Sequence, residues 1–261
     1  MSRENSPALS KYEEGLNIEG DARLLIEKNQ ENKDSVYKDK RAPVPFNSPS
    51  CMIISGQSGA GKTHFCKRIL TQASAMYSEN VTKILYCYRV FQPLYEDMEK
   101  TISNITFHKG VPSEDMVMEF TNDVSSDGKR YHTLLVADDL QDACVNNPEV
   151  ARLFCVYSHH RNCSVIVLFQ NMFQSGSQAR AITLQAHYLV LLKSLRDMGQ
   201  LSYLSRQIYP KRSGLLTEVF NDIIQNYKHP YLVDTSAYGD ERLRLRTCIF
   251  PGEEPIIYVP R

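Results

Sequence analysis

The chain has 261 residues, enough for one large domain with at most a small addition. Hydrophobic residues make up 42% and charged residues 23%, the balance of a globular protein rather than a disordered or fibrous one. The formal net charge is +0, which excludes a global basic field for nucleic acid, so any DNA contact must come from a local patch. No apolar run approaches the length of a membrane span, and MSRENSPALSKYEEG at the N-terminus lacks an apolar signal core. An intracellular protein that is not secreted and has no membrane partner is expected. The seven cysteines include no CxxC and lie mostly in apolar segments, such as Cys51, Cys87 and Cys155, as reduced buried thiols do.

Residues 1–46 are polar and mixed in charge, with no sustained periodicity outside 22–26. They read as a mobile arm that orders on assembly, leaving 47–261 as the main domain. Pro43, Pro45 and Pro49 lead into an apolar strand, Cys51-Met52-Ile53-Ile54-Ser55. GQSGAGKT follows at 56–63, and a helix follows that, over His64 to Leu70. This is the phosphate-binding loop pattern GxxxxGK[ST] in its strand-loop-helix context. Gly56, Gly59 and Gly61 let the backbone curl, so that the N–H groups of Gly56, Gln57, Ser58, Gly59, Ala60, Gly61, Lys62, Thr63 and His64 can cradle phosphates. The helix adds the positive end of its dipole. Lys62 is suited to the β- and γ-phosphates of ATP, and the Thr63 hydroxyl to Mg²⁺.

Strand and helix then alternate. Strands are predicted at 83–88 (KILYCY), 105–108, 132–137 (HTLLVA), 165–169 (VIVLF) and 188–192 (YLVLL). Helices are predicted at 93–100, 113–119, 148–158, 198–208 and 215–227. PYLVD, RLRLRTCIF and EPIIYV close the chain as strands. The fold class is therefore α/β, a mainly parallel sheet with helices on both faces.

A phosphate loop needs an acid for Mg²⁺ at the end of a buried strand. HTLLVADDL supplies Asp138, assigned to Mg²⁺ together with Thr63, and Asp139, the candidate base or water-orienting group. The alternative is a pair that only caps the next loop. The strand VIVLF ends in Gln170-Asn171. Gln170 is either a sensor that holds the attacking water or part of a polar turn. Arg180, in the loop SGSQAR, is a candidate arginine finger in its own subunit or a neighbour's, with Arg196 as competitor; either can instead form a structural ion pair. Cys155, His159, His160 and Cys163 fall within nine residues. They are either zinc ligands or a helix end running into a buried strand. Arg242, Arg244 and Arg246 alternate with leucines, which on a strand puts all three on one face. That row either meets DNA phosphates or is an ordinary solvated face.

The segments SHHRNCSVIVLFQNMF, ARAITLQAHYLVLLKSLRDMGQLSYLSRQIYP and RLRTCIFPGE resemble the DNA-packaging ATPases of adintoviruses and Maverick/Polinton elements. Those enzymes are related to the poxvirus packaging ATPase within the FtsK/HerA group of P-loop NTPases. The resemblance runs from Ser48 to the C-terminus. It rests on HHRN before a buried strand, QN at its end, LK-x-x-RD and RQ-x-YP. Many relatives carry Asn-Pro where this chain has Ser194-Leu195. The resemblance implies a RecA-like core with an additional strand between the phosphate-loop strand and the acid-bearing strand. It implies a homo-oligomeric ring that hydrolyses ATP with Mg²⁺ to move double-stranded DNA into a capsid, with a portal or vertex protein as partner. It places the protein in the host nucleus or cytoplasm, or with the virion. By position, Lys62 and Thr63 match the phosphate loop, Asp138 and Asp139 the acidic pair, Gln170 the sensor and Arg180 the arginine after it. Two alternatives use the same loop: a nucleoside or nucleotide kinase, and a nucleotide-dependent scaffold without useful turnover.

Overall fold

The computed structural model describes residues 36–40, 45–155, 160–173, 176–193, 199–236 and 241–260. The strands are β1 (Val36–Lys40), β2 (Cys51–Ser55), β3 (Val81–Tyr88), β4 (Ile105–Lys109), β5 (His132–Asp138), β6 (Cys163–Phe169), β7 (Tyr188–Leu192), β8 (Tyr231–Thr235), β9 (Leu245–Thr247) and β10 (Ile256–Pro260). They form one ten-stranded sheet in the order β1-β10-β9-β8-β7-β2-β6-β5-β3-β4. From β7 to β4 the neighbours run parallel. From β7 through β8, β9 and β10 to β1 they run antiparallel. The additional strand is where the resemblance puts it: β6 lies between β2, which leads into the phosphate loop, and β5, which ends in Asp138.

The central strands are buried along both faces, which is why they read as unbroken apolar runs. Alternation divides the core in two. Ile54, Tyr86, Val136, Ile166, Leu168 and Val190 pack with α1 (Lys62–Thr71), α2 (Ala73–Met76) and α3 (Pro93–Thr101). Ile53, Leu85, Leu135, Val165, Val167 and Leu191 pack with α4 (Glu114–Phe120), α5 (Gln141–Asn146), α6 (Pro148–Cys155), α7 (Ala179–Gln185), α8 (Gly199–Ile208) and α9 (Leu215–Asn226). This is a parallel sheet with a helical layer on each face. Pro93 occupies the first turn of α3, where its missing N–H costs nothing. Ser113 caps α4 through Met116 N at 3.2 Å.

Four local features differ from the expectation. Val36–Lys40 pairs antiparallel with β10 although its polar sequence gives no strand signal. Helix α5 follows directly on the acidic pair and is too short to show a helical period. Arg180 stands in the first turn of α7, not in a loop. RLRLR is not one strand: Glu241–Leu243 is a 3₁₀ turn and β9 begins at Leu245.

The phosphate-loop helix α1 is fixed from behind by the C-terminal region. Phe65 packs edge-on to Tyr231 at 4.8 Å and to Phe250 at 5.1 Å. Arg68 pairs with Glu253 at 2.6 Å and lies 3.9 Å over the Phe250 ring.

Candidate nucleotide site

The loop at 56–61 leaves β2 and turns into α1. Gly59 (φ 78°) and Gly61 (φ 92°) hold left-handed backbone, which explains glycine at both. Gly61 is the residue before α1, so the free N–H groups of that helix open onto the loop. The loop borders a cleft of about 500 Å³, lined by Ser58, Gly59, Gly61, Lys62, Thr63, His64, Asp138, Asp139, Gln141 and Gln170, among others. The Lys62 ammonium bonds the carbonyls of Gly56 (2.6 Å) and Gln57 (3.0 Å). Burial pulls its pKa down, while Asp138 and then Asp139 counter the shift.

Asp138 ends β5 and is 3% exposed. Its Oδ2 accepts the Thr63 hydroxyl at 3.1 Å, which ties the acid to the phosphate loop across the intervening strand β6. The same oxygen accepts the hydroxyls of Tyr86 (2.7 Å) and Tyr95 (3.0 Å). Burial, with the nearby carboxylate, pushes both phenols well above their ordinary range, so they stay protonated donors. Thr63 and Asp138 together offer the hydroxyl and carboxylate oxygens that Mg²⁺ prefers, next to a loop shaped for phosphates. The donor set therefore fits that ion.

Asp139 is exposed and has φ 57°, a left-handed value that aspartate tolerates better than most residues. This twist turns it away from the buried environment of Asp138. Gln170, past the end of β6, donates Nε2 to Asp139 Oδ1 at 3.4 Å. Gln141 holds the two strand ends together. Its Oε1 accepts from Gln170 N at 2.8 Å and its Nε2 donates to Asn171 O at 2.6 Å.

The structure thus brings Lys62, Thr63, Asp138, Asp139 and Gln170 to one cleft. Arg180 is exposed and does not line it. It borders a separate hollow with Met172, Phe173, Thr183, Leu184 and Tyr203. Arg196 and His159 lie outside the described residues, as does the side chain of Cys155. Cys163 is buried in β6, and the described residues contain no group of three or more His, Cys, Asp or Glu placed for a metal ion. Cys51, Cys66, Cys87 and Cys144 are buried and in no disulfide, as expected.

The arginine row does not form. Arg242 sits in the 3₁₀ turn, Arg244 bonds Asp234 Oδ1 at 2.6 Å, and Arg246 is only 2% exposed. Leu243 and Leu245 are buried. Pairing of β9 with β8 begins at Leu245, opposite Asp234; Thr235 N donates to Arg244 O at 3.0 Å, and the Arg244 side chain donates to the Asp234 carboxylate.

Sequence reasoning missed Tyr86, Tyr95 and Gln141. Tyr86 had a usable signal: it shares a strand face with Tyr88, whose register partner is Asp138. Tyr95 and Gln141 come to the site through tertiary packing that no spacing rule reveals.

Residues 47–175 match the family described as "AAA domain". Curated relatives include Myosin-1 of Vanderwaltozyma polyspora, 40% identical over 76 residues, and Myosin-3 of Candida glabrata, 41% identical over 64 residues. These matches cover 27% and 23% of this chain but only 6% and 5% of the relatives' own length. Similar solved structures include the DNA-packaging ATPase B204 of Sulfolobus turreted icosahedral virus, at TM-score 0.47 and 13% identity, covering 72% of this chain and 93% of that one. Another is the flagellar accessory protein FlaH of Methanocaldococcus jannaschii, at TM-score 0.38 and 15% identity, covering 56% of this chain and 72% of that one. Among the described residues no helix is long and apolar enough to cross a membrane. The glycine-turned loop, the acid-bearing strand tied to it by Thr63 and the parallel sheet between two helical layers make this a P-loop NTPase fold.

Proposed function

We propose that the protein is a Mg²⁺-dependent ATPase that drives double-stranded DNA into a viral capsid, working as a homo-oligomeric ring. The observation that carries the hydrolytic part is the joining of Lys62, Thr63, Asp138, Asp139 and Gln170 at one cleft. The packaging part is supported by the resemblance of the SHHRN-to-RQIYP region to packaging ATPases.

In this reading the loop N–H groups and the α1 terminus bind the phosphate chain. Lys62 leaves the Gly56 and Gln57 carbonyls for the β- and γ-phosphates. Thr63 and Asp138 would hold Mg²⁺, which would supply charge neutralisation on the phosphates. Asp139 accepts a proton from the attacking water. Gln170, steadied by its contact with Asp139, orients that water. Arg180 does not line its own cleft, so a role on a neighbouring subunit's γ-phosphate suits it. With the RLRLR row gone, duplex contact falls to the loop after Gln170 and to exposed Lys211 beside Arg212.

Phosphate release with and without long duplex DNA tests the proposal. The parent should be stimulated by duplex DNA. Asp139→Asn should bind ATP with Mg²⁺ but stall before release. Stimulation by a small hydroxyl acceptor and not by DNA would mark a kinase. Nucleotide binding with no turnover under either condition would mark a scaffold.

A further inference from the structure

A carboxylate oxygen has two in-plane lone pairs. Asp138 Oδ2 takes three hydroxyl donors, from Tyr86, Tyr95 and Thr63, and is thereby saturated. A metal ion, or water bound to one, must therefore use Oδ1. Thr63 can keep donating its proton to Oδ2 while its own lone pairs remain available. Tyr86 and Tyr95 have no such second role, because they are 0% and 1% exposed and neither lines the nucleotide cleft.

Both rings are fixed in place. Tyr86 and Tyr95 pack at 5.2 Å, Tyr95 stacks on Phe107 at 5.4 Å and 29°, and Tyr86 meets Phe107 at 5.2 Å. They come from different elements, β3 and the first turn of α3. The two hydroxyls thus reach Asp138 from a rigid aromatic wall.

We propose that Tyr86 and Tyr95 are positioning residues that lock the Asp138 carboxylate so that Oδ1 alone is presented to the Mg²⁺–nucleotide complex. This rests on the ATPase reading above. Groups that hold a metal ligand in place in this way typically set metal affinity by factors of about 10–100.

The test uses the full chain with Tyr86→Phe, Tyr95→Phe and the double variant, which keep the rings and remove only the hydroxyls. A fluorescent ATP analogue is titrated at stepped Mg²⁺ and in EDTA, and free Mn²⁺ is counted by electron paramagnetic resonance as an independent readout. Each single variant should need roughly 10-fold more metal for half-occupancy. Affinity for the analogue in EDTA should be unchanged. Lower thermal midpoints with an unaltered metal requirement would mean the hydroxyls are structural only, and would overturn the proposal. So would tighter metal binding. If the double variant does not fold, Tyr95→Phe alone decides, because α3 can relax more easily than the sheet. A parent whose analogue binding ignores Mg²⁺ would overturn the ATPase reading and this proposal with it. A metal-responsive parent with variants that respond identically overturns this proposal alone.

Discussion

Replacing Asp138 separates its structural work from its chemical work. Asp138→Ala strips the shared acceptor from Tyr86 and Tyr95, both buried away from solvent. A buried donor left unpaired costs about 1–3 kcal/mol, so two cost about 2–6 kcal/mol. Asp138→Asn keeps an oxygen in the Oδ2 position and should hold both phenols. Both variants also remove a desolvated charge, which offsets part of the loss, but that gain is common to them. The difference between Asn and Ala therefore isolates the hydroxyl bonds. At roughly 2 °C per kcal/mol for a domain of this size, the gap in thermal midpoint should be about 4–12 °C. Differential scanning fluorimetry without nucleotide measures it, and circular dichroism checks that one transition is followed. The Asn variant should meanwhile need far more Mg²⁺, because its amide NH₂ takes the place of Oδ1. Equal midpoints for the Asn and Ala variants would refute the reasoning, since the phenols would then have found other partners at no cost.

Lys62→Ala should lower hydrolysis by at least about 100-fold, the scale for loss of one positioned charge at a reacting group, with the melting midpoint kept; unchanged turnover would contradict the site assignment. Arg180→Ala should bind ATP normally and hydrolyse poorly, and mixing it with Lys62→Ala subunits should restore part of the activity; mixed rings without recovery would return the role to the same subunit or to Arg196. His132 is buried between Glu79 O (3.3 Å) and Ser164 Oγ (2.8 Å), and burial lowers its pKa below the usual 6.5. The unfolded chain then binds the proton first, so this contribution to stability is whole above the unfolded value and shrinks as pH falls below it. The midpoint should drop between pH 7 and 5.5 by more in the parent than in His132→Gln, and identical slopes would remove His132 from the account.

The parallel core was legible because doubly buried strands leave unbroken apolar runs, as in HTLLVA and VIVLF. The phosphate loop was legible because its chemistry dictates residue type at fixed spacing. Asp138 could be placed from the end of an apolar run, but its phenol partners could not. Tyr95 reads as an ordinary aromatic on an amphipathic helix, and only the docking of α3 against β3 aims its hydroxyl. RLRLR fails for the opposite reason. Its alternation is a genuine strand pattern, yet Asp234 on the neighbouring strand outcompetes the pleat for Arg244. The β1 strand is held by backbone pairing to β10, which imposes no apolar pattern for a sequence to display.

The position of β2 has a consequence for how the chain matures. The phosphate loop is synthesised before the strands that flank it: β2 pairs with Cys163–Phe169 on one side and Tyr188–Leu192 on the other, more than a hundred residues later. Contacts so distant along the chain form slowly, because the loop between them must close first. A nascent chain that has emerged only as far as residue 175 has one flank of β2 in hand and the other missing. Its apolar edge at Met52 to Ser55 stays open to unwanted pairing until β7 arrives. Competence to grip a nucleotide is thus a late event in biogenesis, and binding of a labelled ATP analogue to ribosome-stalled chains of increasing length would report the moment at which the sheet closes around its first strand.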